Sequence, residues 1–211
     1  MVSRLHAIVD VEASARAGRA PLDIAHAFLD GGARVIQLRA KPQSSSAFLS
    51  LADDCVRLAA PYGAAVIVND RLDIARLSGA AGAHVGQDDV TPAAARRLLG
   101  DGAVVGVSTH TVPQMSAALA EPISYLAVGP VFGTSSKETG YTAVGLALVA
   151  TASQMAGTVP VVAIGGITLD NAASVIAAGA SSVAIIGDLL VGGDPARRTR
   201  ALLQSLGDNR V

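Results

Sequence analysis

The sequence has no tryptophan, a single cysteine and only 3% aromatic residues, and each shortage narrows what the chain can be. One thiol, Cys55, cannot close an intrachain disulfide. Cys55 lies in an apolar helical pattern with Phe48, Leu51 and Ala52, where a cysteine is a packing residue rather than a nucleophile. With so few rings, the core has to come from Val, Ile, Leu and Ala, which pack densely without them. Charge of one sign is also lacking: 16 basic and 17 acidic residues leave a formal net charge of −1. That balance argues against a nucleic-acid partner, which calls for a concentrated positive patch. No apolar run approaches the roughly 20 residues of a membrane helix, which argues against a membrane partner. Met1-Val2-Ser3-Arg4 leads into a strand-like run without the apolar stretch of a signal peptide, so a cytoplasmic location is expected. Lysine is scarce too. Only Lys41 and Lys137 stand among the 16 basic residues, and both fall in loops that follow strand-like runs. Lysine offers a compact, mobile point charge where arginine offers a rigid fork, a difference that matters at phosphates.

What the chain does have is a regular alternation. Short apolar runs occur at Leu5–Val9, Arg34–Leu38, Ala64–Val68, Ala81–Val85, Ala103–Val107, Tyr125–Val128, Pro160–Ile164 and Ser182–Ile186. They are rich in β-branched residues and bounded by Gly, Asp, Asn or Pro, as strands of a buried parallel sheet are. Helical patterns lie between them. Pro21 opens one that Gly31-Gly32 closes, and Ser44 to Ser46 offer caps for a second. Thr91-Pro92 and Asp194-Pro195 each pair a capping side chain with proline at the first helical position. Leu72–Leu77, Pro113–Leu119 and Leu146–Met155 supply three more, and Thr168 is expected to cap a helix running to Ala178. Strand and helix alternate about eight times without a linker or a break in composition. The expected fold is therefore α/β, a single (β/α)8 TIM barrel spanning residues 1–211 as one domain.

In such a barrel chemistry sits where the strands end at their C-terminal side. The second strand runs into Gln37-Leu38-Arg39-Ala40-Lys41, where two cations suit a phosphate or pyrophosphate clamp. Asn69-Asp70 follows the third strand and Gly86-Gln87-Asp88-Asp89 the fourth. Carboxylates on two adjacent strand ends, beside cations, can hold one hard ion such as magnesium. His84 falls inside the fourth strand and is read as a satisfied barrel-interior histidine. The fifth strand leads to Ser108, placed to donate to a phosphate oxygen, and to His110, which could serve as acid or base but is read as shaping the start of the next helix. After the sixth comes a long loop with Thr134, Ser135, Ser136 and Lys137, suited to anion recognition and long enough to be a lid. Gly165-Gly166 after the seventh strand, and Gly187-Asp188 after the eighth, let backbone N–H groups approach a phosphate.

Seven stretches in this order, Gln37–Lys41, Val68–Arg71, Gly82–Asp89, Gly106–Thr111, Gly129–Lys137, Ala163–Asn171 and Val183–Leu189, resemble the thiamine phosphate synthase family. The resemblance implies a transferase that couples hydroxymethylpyrimidine diphosphate to a thiazole phosphate with release of pyrophosphate. It implies that Gln37, Arg39, Lys41, Asn69, Ser108 and Lys137 hold the diphosphate substrate, and that Asp70 and Asp89 bind Mg2+. Thr134, Ser135 and Ser136 match the lid near the thiazole phosphate, and Gly165, Ile186 and Gly187 its backbone anchor. The chain departs from the family at Ala40, where glutamate is usual, and at Gly187, where serine is common. It also begins almost at the first strand, so the leading helix of many members is expected to be absent or very short. The related thiazole tautomerase, which needs no diphosphate clamp, and a non-catalytic ligand-binding barrel are the alternative readings. A phosphosugar isomerase would need a paired acid and base at the strand ends. A homo-oligomer is compatible with all of them.

Overall fold

Each of the eight apolar runs forms a strand: β1 Leu5–Asp10, β2 Val35–Arg39, β3 Ala65–Asn69, β4 Gly82–Val85, β5 Val104–Thr109, β6 Tyr125–Val128, β7 Val161–Ile164 and β8 Ser182–Ile185. The computed structural model describes residues 3–133 and 142–208. The strands pair in chain order, all parallel, and β8 returns to β1 through Leu5↔Val183, His6↔Ala184 and Ala7↔Ile185. This is the closed (β/α)8 barrel that eight alternations call for.

The helices wrap the outside: α1 Val11–Arg16, α2 Pro21–Asp30, α3 Ser45–Ala59, α4 Leu72–Ser78, α5 Pro92–Leu99, α6 Val112–Leu119, α7 Gly145–Ala156, α8 Ala172–Ala177 and α9 Pro195–Ser205. Side chains expected to cap them do so. Ser44 accepts from the Ala47 N–H, Thr91 from that of Ala94 and Asp194 from that of Arg197. Two details differ from the sequence reading. Thr168 does not cap α8: Asn171 accepts from the Thr168 N–H at 2.8 Å and donates to the Gly166 carbonyl at 3.1 Å. An amide can bond in both directions, which a lone hydroxyl cannot do across this loop, so the helix starts later. The short α1 was not anticipated. It is nucleated by Asp10, whose carboxylate accepts from the Ala13 N–H at 2.7 Å.

Period-two alternation divides the strands into two environments. Outward side chains such as Leu5, Val9, Leu38, Val68, Val85, Val107 and Val128 join the helices in one apolar layer. Inward side chains include a smaller apolar group with Ile8, Ala127, Val162, Ala184 and Ile186. They also include buried polar groups: His6, Gln37, Asn69, His84 and Ser182. Cys55 is buried in α3, and burial pushes its thiol up to about 12, in keeping with a packing role. Among the described residues no helix is long and apolar enough to cross a membrane.

Candidate active site

A cavity of about 420 Å³ opens at the C-terminal end of the strands. Gln37 and Arg39 of β2, Asn69 of β3, His84 of β4, Ser108 of β5 and Gly165 after β7 are among the groups that line it. Alternation along β2 selects which residues reach it. Gln37 and Arg39 point in, while Leu38 and Ala40 are buried in the helix-facing layer. The strand's pleat turns the Leu38 and Ala40 side chains away from the cavity.

Arg39 is held in place by carboxylates that sequence inspection missed. Its guanidinium contacts Asp10, at the end of β1, and lies 3.8 Å from Glu12. The β1–β2 register sets Asp10 directly opposite Arg39. The Arg39 Nε is buried and has no hydrogen-bond partner among the described residues. A fixed guanidinium on the wall of a cavity is suited to an anion.

Lys41 sits on the rim, with its ammonium 3.6 Å from the Asp70 carboxylate. Asp70 has φ of 64°, the left-handed region that non-glycine residues rarely occupy. Its N–H donates to the His84 carbonyl at 2.8 Å, which ties the β3 loop to β4. On the neighbouring loop the Asp89 carboxylate accepts from the Gly86 N–H at 2.7 Å. The two aspartates stand on adjoining loops at the rim, and neither is among the groups that line the main cavity. Among the described residues no cluster of three or more His, Cys, Asp or Glu forms a metal-binding group. Two hard oxygen donors on adjacent loops still fit magnesium, which binds through one or two carboxylates and completes its shell with water and phosphate. Zinc, which takes four nitrogen, sulfur or oxygen ligands, does not fit.

Deeper in the barrel, His84 is satisfied at both ring nitrogens. Nδ1 is 2.9 Å from the Tyr125 hydroxyl and Nε2 is 2.8 Å from Ser108 Oγ. The His84 and Tyr125 rings stack at 5.6 Å, and His6 meets Tyr125 edge-on at 5.0 Å. Burial drives the Tyr125 phenol well above its usual range, although a hydrogen bond from Gln37 pulls the other way. His6 is pulled down to about 4 by the same loss of solvent, so it stays neutral at pH 7. The inward position of Tyr125 requires glycine next to it. A Cβ on Gly106 would stand 2.0 Å from its ring. His110 shapes the start of α6 as expected, its N–H donating to Gln114 at 2.8 Å, and its Nδ1 lies against the Gly129 carbonyl. It also lines the cavity.

The opposite wall is backbone. Gly165, Gly166, Ile186 and Gly187 line it. Gly165 and Gly166 have φ of 102° and 63°, and side chains there would strike Pro130 and Phe132. Glycine lets the chain turn tightly and expose its amides to a ligand. Asp188 locks this wall: its carboxylate accepts from the Leu169 N–H at 3.0 Å and pairs with Arg198 at 2.8 Å. The β7 and β8 loops are thereby fixed to each other and to α9. Thr134, Ser135, Ser136 and Lys137 lie outside the described residues.

Comparison with known proteins agrees with this geometry. A family profile described as thiamine monophosphate synthase matches residues 5–189. A thiamine-phosphate synthase of Thermus thermophilus is 42% identical over 209 residues, covering 98% of both chains. One from Roseiflexus castenholzii is 43% identical over 184 residues, 87% of this chain and 80% of that one. Among solved structures, the thiamine phosphate pyrophosphorylase of Pyrococcus furiosus superposes with a TM-score of 0.87 at 26% identity, over 97% of this chain and 95% of that one. With the barrel closed and the profile matched over most of its length, the chain belongs to the thiamine monophosphate synthase family.

Proposed function

We propose that the protein is a magnesium-dependent thiamine phosphate synthase. It joins hydroxymethylpyrimidine diphosphate to hydroxyethylthiazole phosphate and releases pyrophosphate. The observation that carries this reading is one cavity of about 420 Å³ with an anion-recognising edge on each side. Arg39, Asn69 and Ser108 form one edge, and the glycine backbone of Gly165, Gly166 and Gly187 forms the other. Apolar side chains, among them Ile8 and Ile164, also line the cavity. Such a cavity suits two flat heterocycles, each anchored by its own phosphate.

In this reading Gln37 and Asn69 orient the pyrimidine diphosphate from inside the barrel, while Arg39, Lys41 and Lys137 offset the charge that grows on the leaving pyrophosphate. Asp70 and Asp89 would hold magnesium, which when bound supplies further positive charge to the same diphosphate. Ser108 donates to a diphosphate oxygen, and the thiazole phosphate is assigned to Thr134, Ser135 and Ser136, which lie outside the described residues. The bond between the pyrimidine methylene carbon and the diphosphate oxygen breaks, and the thiazole nitrogen supplies the pair that forms the new C–N bond. Backbone amides at Gly165, Gly166, Ile186 and Gly187 fix the thiazole phosphate so that its nitrogen is aligned. No side-chain nucleophile is needed, in keeping with the unreactive Cys55.

The test is pyrophosphate release with both substrates, with and without magnesium. The wild-type protein releases pyrophosphate only when both substrates and magnesium are present. Asp70→Ala and Asp89→Ala each lower turnover by about 10²-fold or more. Wild-type rates in both variants would remove the metal assignment. Proton exchange on a thiazole without pyrophosphate release would mark a tautomerase instead.

A further inference from the structure

Inside the barrel three side chains form one hydrogen-bonded line that ends at the substrate-facing Ser108. The Tyr125 hydroxyl is 2.9 Å from His84 Nδ1, and His84 Nε2 is 2.8 Å from Ser108 Oγ. His84 and Ser108 line the cavity, and Tyr125 lies behind them, 4% exposed. Space has been left for it: Gly106 is its partner in the β5–β6 register, and any side chain there would overlap the phenol ring.

We propose that Tyr125 is a positioning residue, which fixes the tautomer of His84 and through it the direction in which Ser108 offers its hydroxyl proton. The inference rests on the reading of Ser108 as a contact of the diphosphate substrate. The direction follows from counting protons. A neutral phenol has one, and the acceptor within hydrogen-bonding distance of the Tyr125 hydroxyl is His84 Nδ1 at 2.9 Å, so the phenol proton goes there. Burial raises the phenol's pKa and keeps that proton on it at neutral pH. The imidazole then accepts at Nδ1 and carries its own proton on Nε2, which donates to Ser108 Oγ. With its oxygen already accepting, Ser108 turns its proton away from the ring and into the cavity. An anion there receives a donor rather than a lone pair.

Without the Tyr125 hydroxyl the order is free to reverse. His84 can place its proton on Nδ1, and Nε2 then draws in the Ser108 proton. The serine would meet a diphosphate oxygen with its own oxygen, which repels. A buried hydroxyl behind the cavity thereby sets the polarity of a serine on its wall.

The test uses full-length protein. Nitrogen-15 NMR of the ligand-free wild type reads the His84 tautomer directly, and the Nε2–H form is expected. The Nδ1–H form in the wild type would overturn the proposal whatever the variants do. Tyr125→Phe keeps the ring and removes the hydroxyl. It should shift His84 towards Nδ1–H, raise the KM for the diphosphate substrate about tenfold and weaken inorganic pyrophosphate binding by a similar factor, with a smaller change in kcat. In a Ser108→Ala background the same substitution should have no further effect on KM. Multiplying effects in that double variant, or an unchanged tautomer in Tyr125→Phe, would reject the relay. Failure of the wild type to release pyrophosphate would count against the synthase activity alone, because the tautomer and pyrophosphate binding are read without turnover.

Discussion

At the scale of single residues, the site depends on positions where backbone and chemistry compete. Asp70 is the clearest. Its φ of 64° suits glycine, yet a carboxylate stands there, paired with Lys41. Aspartate tolerates the left-handed region better than alanine, and glycine better than either. The strain should therefore separate from the chemistry. Asp70→Ala is expected to be about 1 kcal/mol less stable than Asp70→Gly, while both lose magnesium-dependent turnover. Urea unfolding of the two variants measures the difference, and equal stabilities would mean the backbone there is relaxed. Asp70 was legible as a candidate ligand because a carboxylate directly follows an apolar strand. Its neighbour in function, Arg39, was only half legible. The cation was visible, but its partner Asp10 lies 29 residues earlier and meets it only through the β1–β2 register. No local spacing encodes that pair.

Elements were easier to read than their ends. All eight strands appear within a residue or two of the apolar runs, because each run's outward half packs on helices and must be apolar. Their inward half was obscured. Single polar residues such as His6 and His84 sit inside runs that otherwise look uniformly hydrophobic, so the polar interior did not register as a set. The backbone anchor was legible from its glycines, whereas the brace behind it was not. Asp188 bonds the Leu169 amide of the β7 loop and the Arg198 guanidinium of α9, and so joins three elements. Asp188→Asn keeps an acceptor but loses the ion pair. The variant should lose about 1–2 kcal/mol of stability, and its KM for the thiazole phosphate should rise while that for the diphosphate substrate stays the same. Steady-state kinetics with each substrate varied in turn checks this. A rise in the diphosphate KM alone would place the brace on the wrong side of the cavity.

For the whole molecule, the barrel interior makes stability depend on pH through a group that takes no part in the chemistry. His6 on β1 is enclosed by strands, touches Tyr125 edge-on and leaves its Nδ1 without a hydrogen-bond partner among the described residues. Burial lowers its pKa from 6.5 to about 4. Above pH 6.5 the ring is neutral whether the chain is folded or not, and His6 contributes no slope. Between pH 6.5 and about 4 the unfolded chain takes up a proton that the folded barrel refuses, so stability falls as the pH falls. The accumulated loss reaches about 3 kcal/mol near pH 4 and then levels, since both states are protonated below it. His6→Phe preserves a flat ring against Tyr125 and cannot titrate, so its stability should change much less between pH 6.5 and 4. Denaturant unfolding of both proteins at several pH values across that window provides the comparison. Parallel curves for wild type and variant would mean that His6 is protonated in the folded barrel as readily as in the unfolded chain. The slope would then have to come from another titrating group.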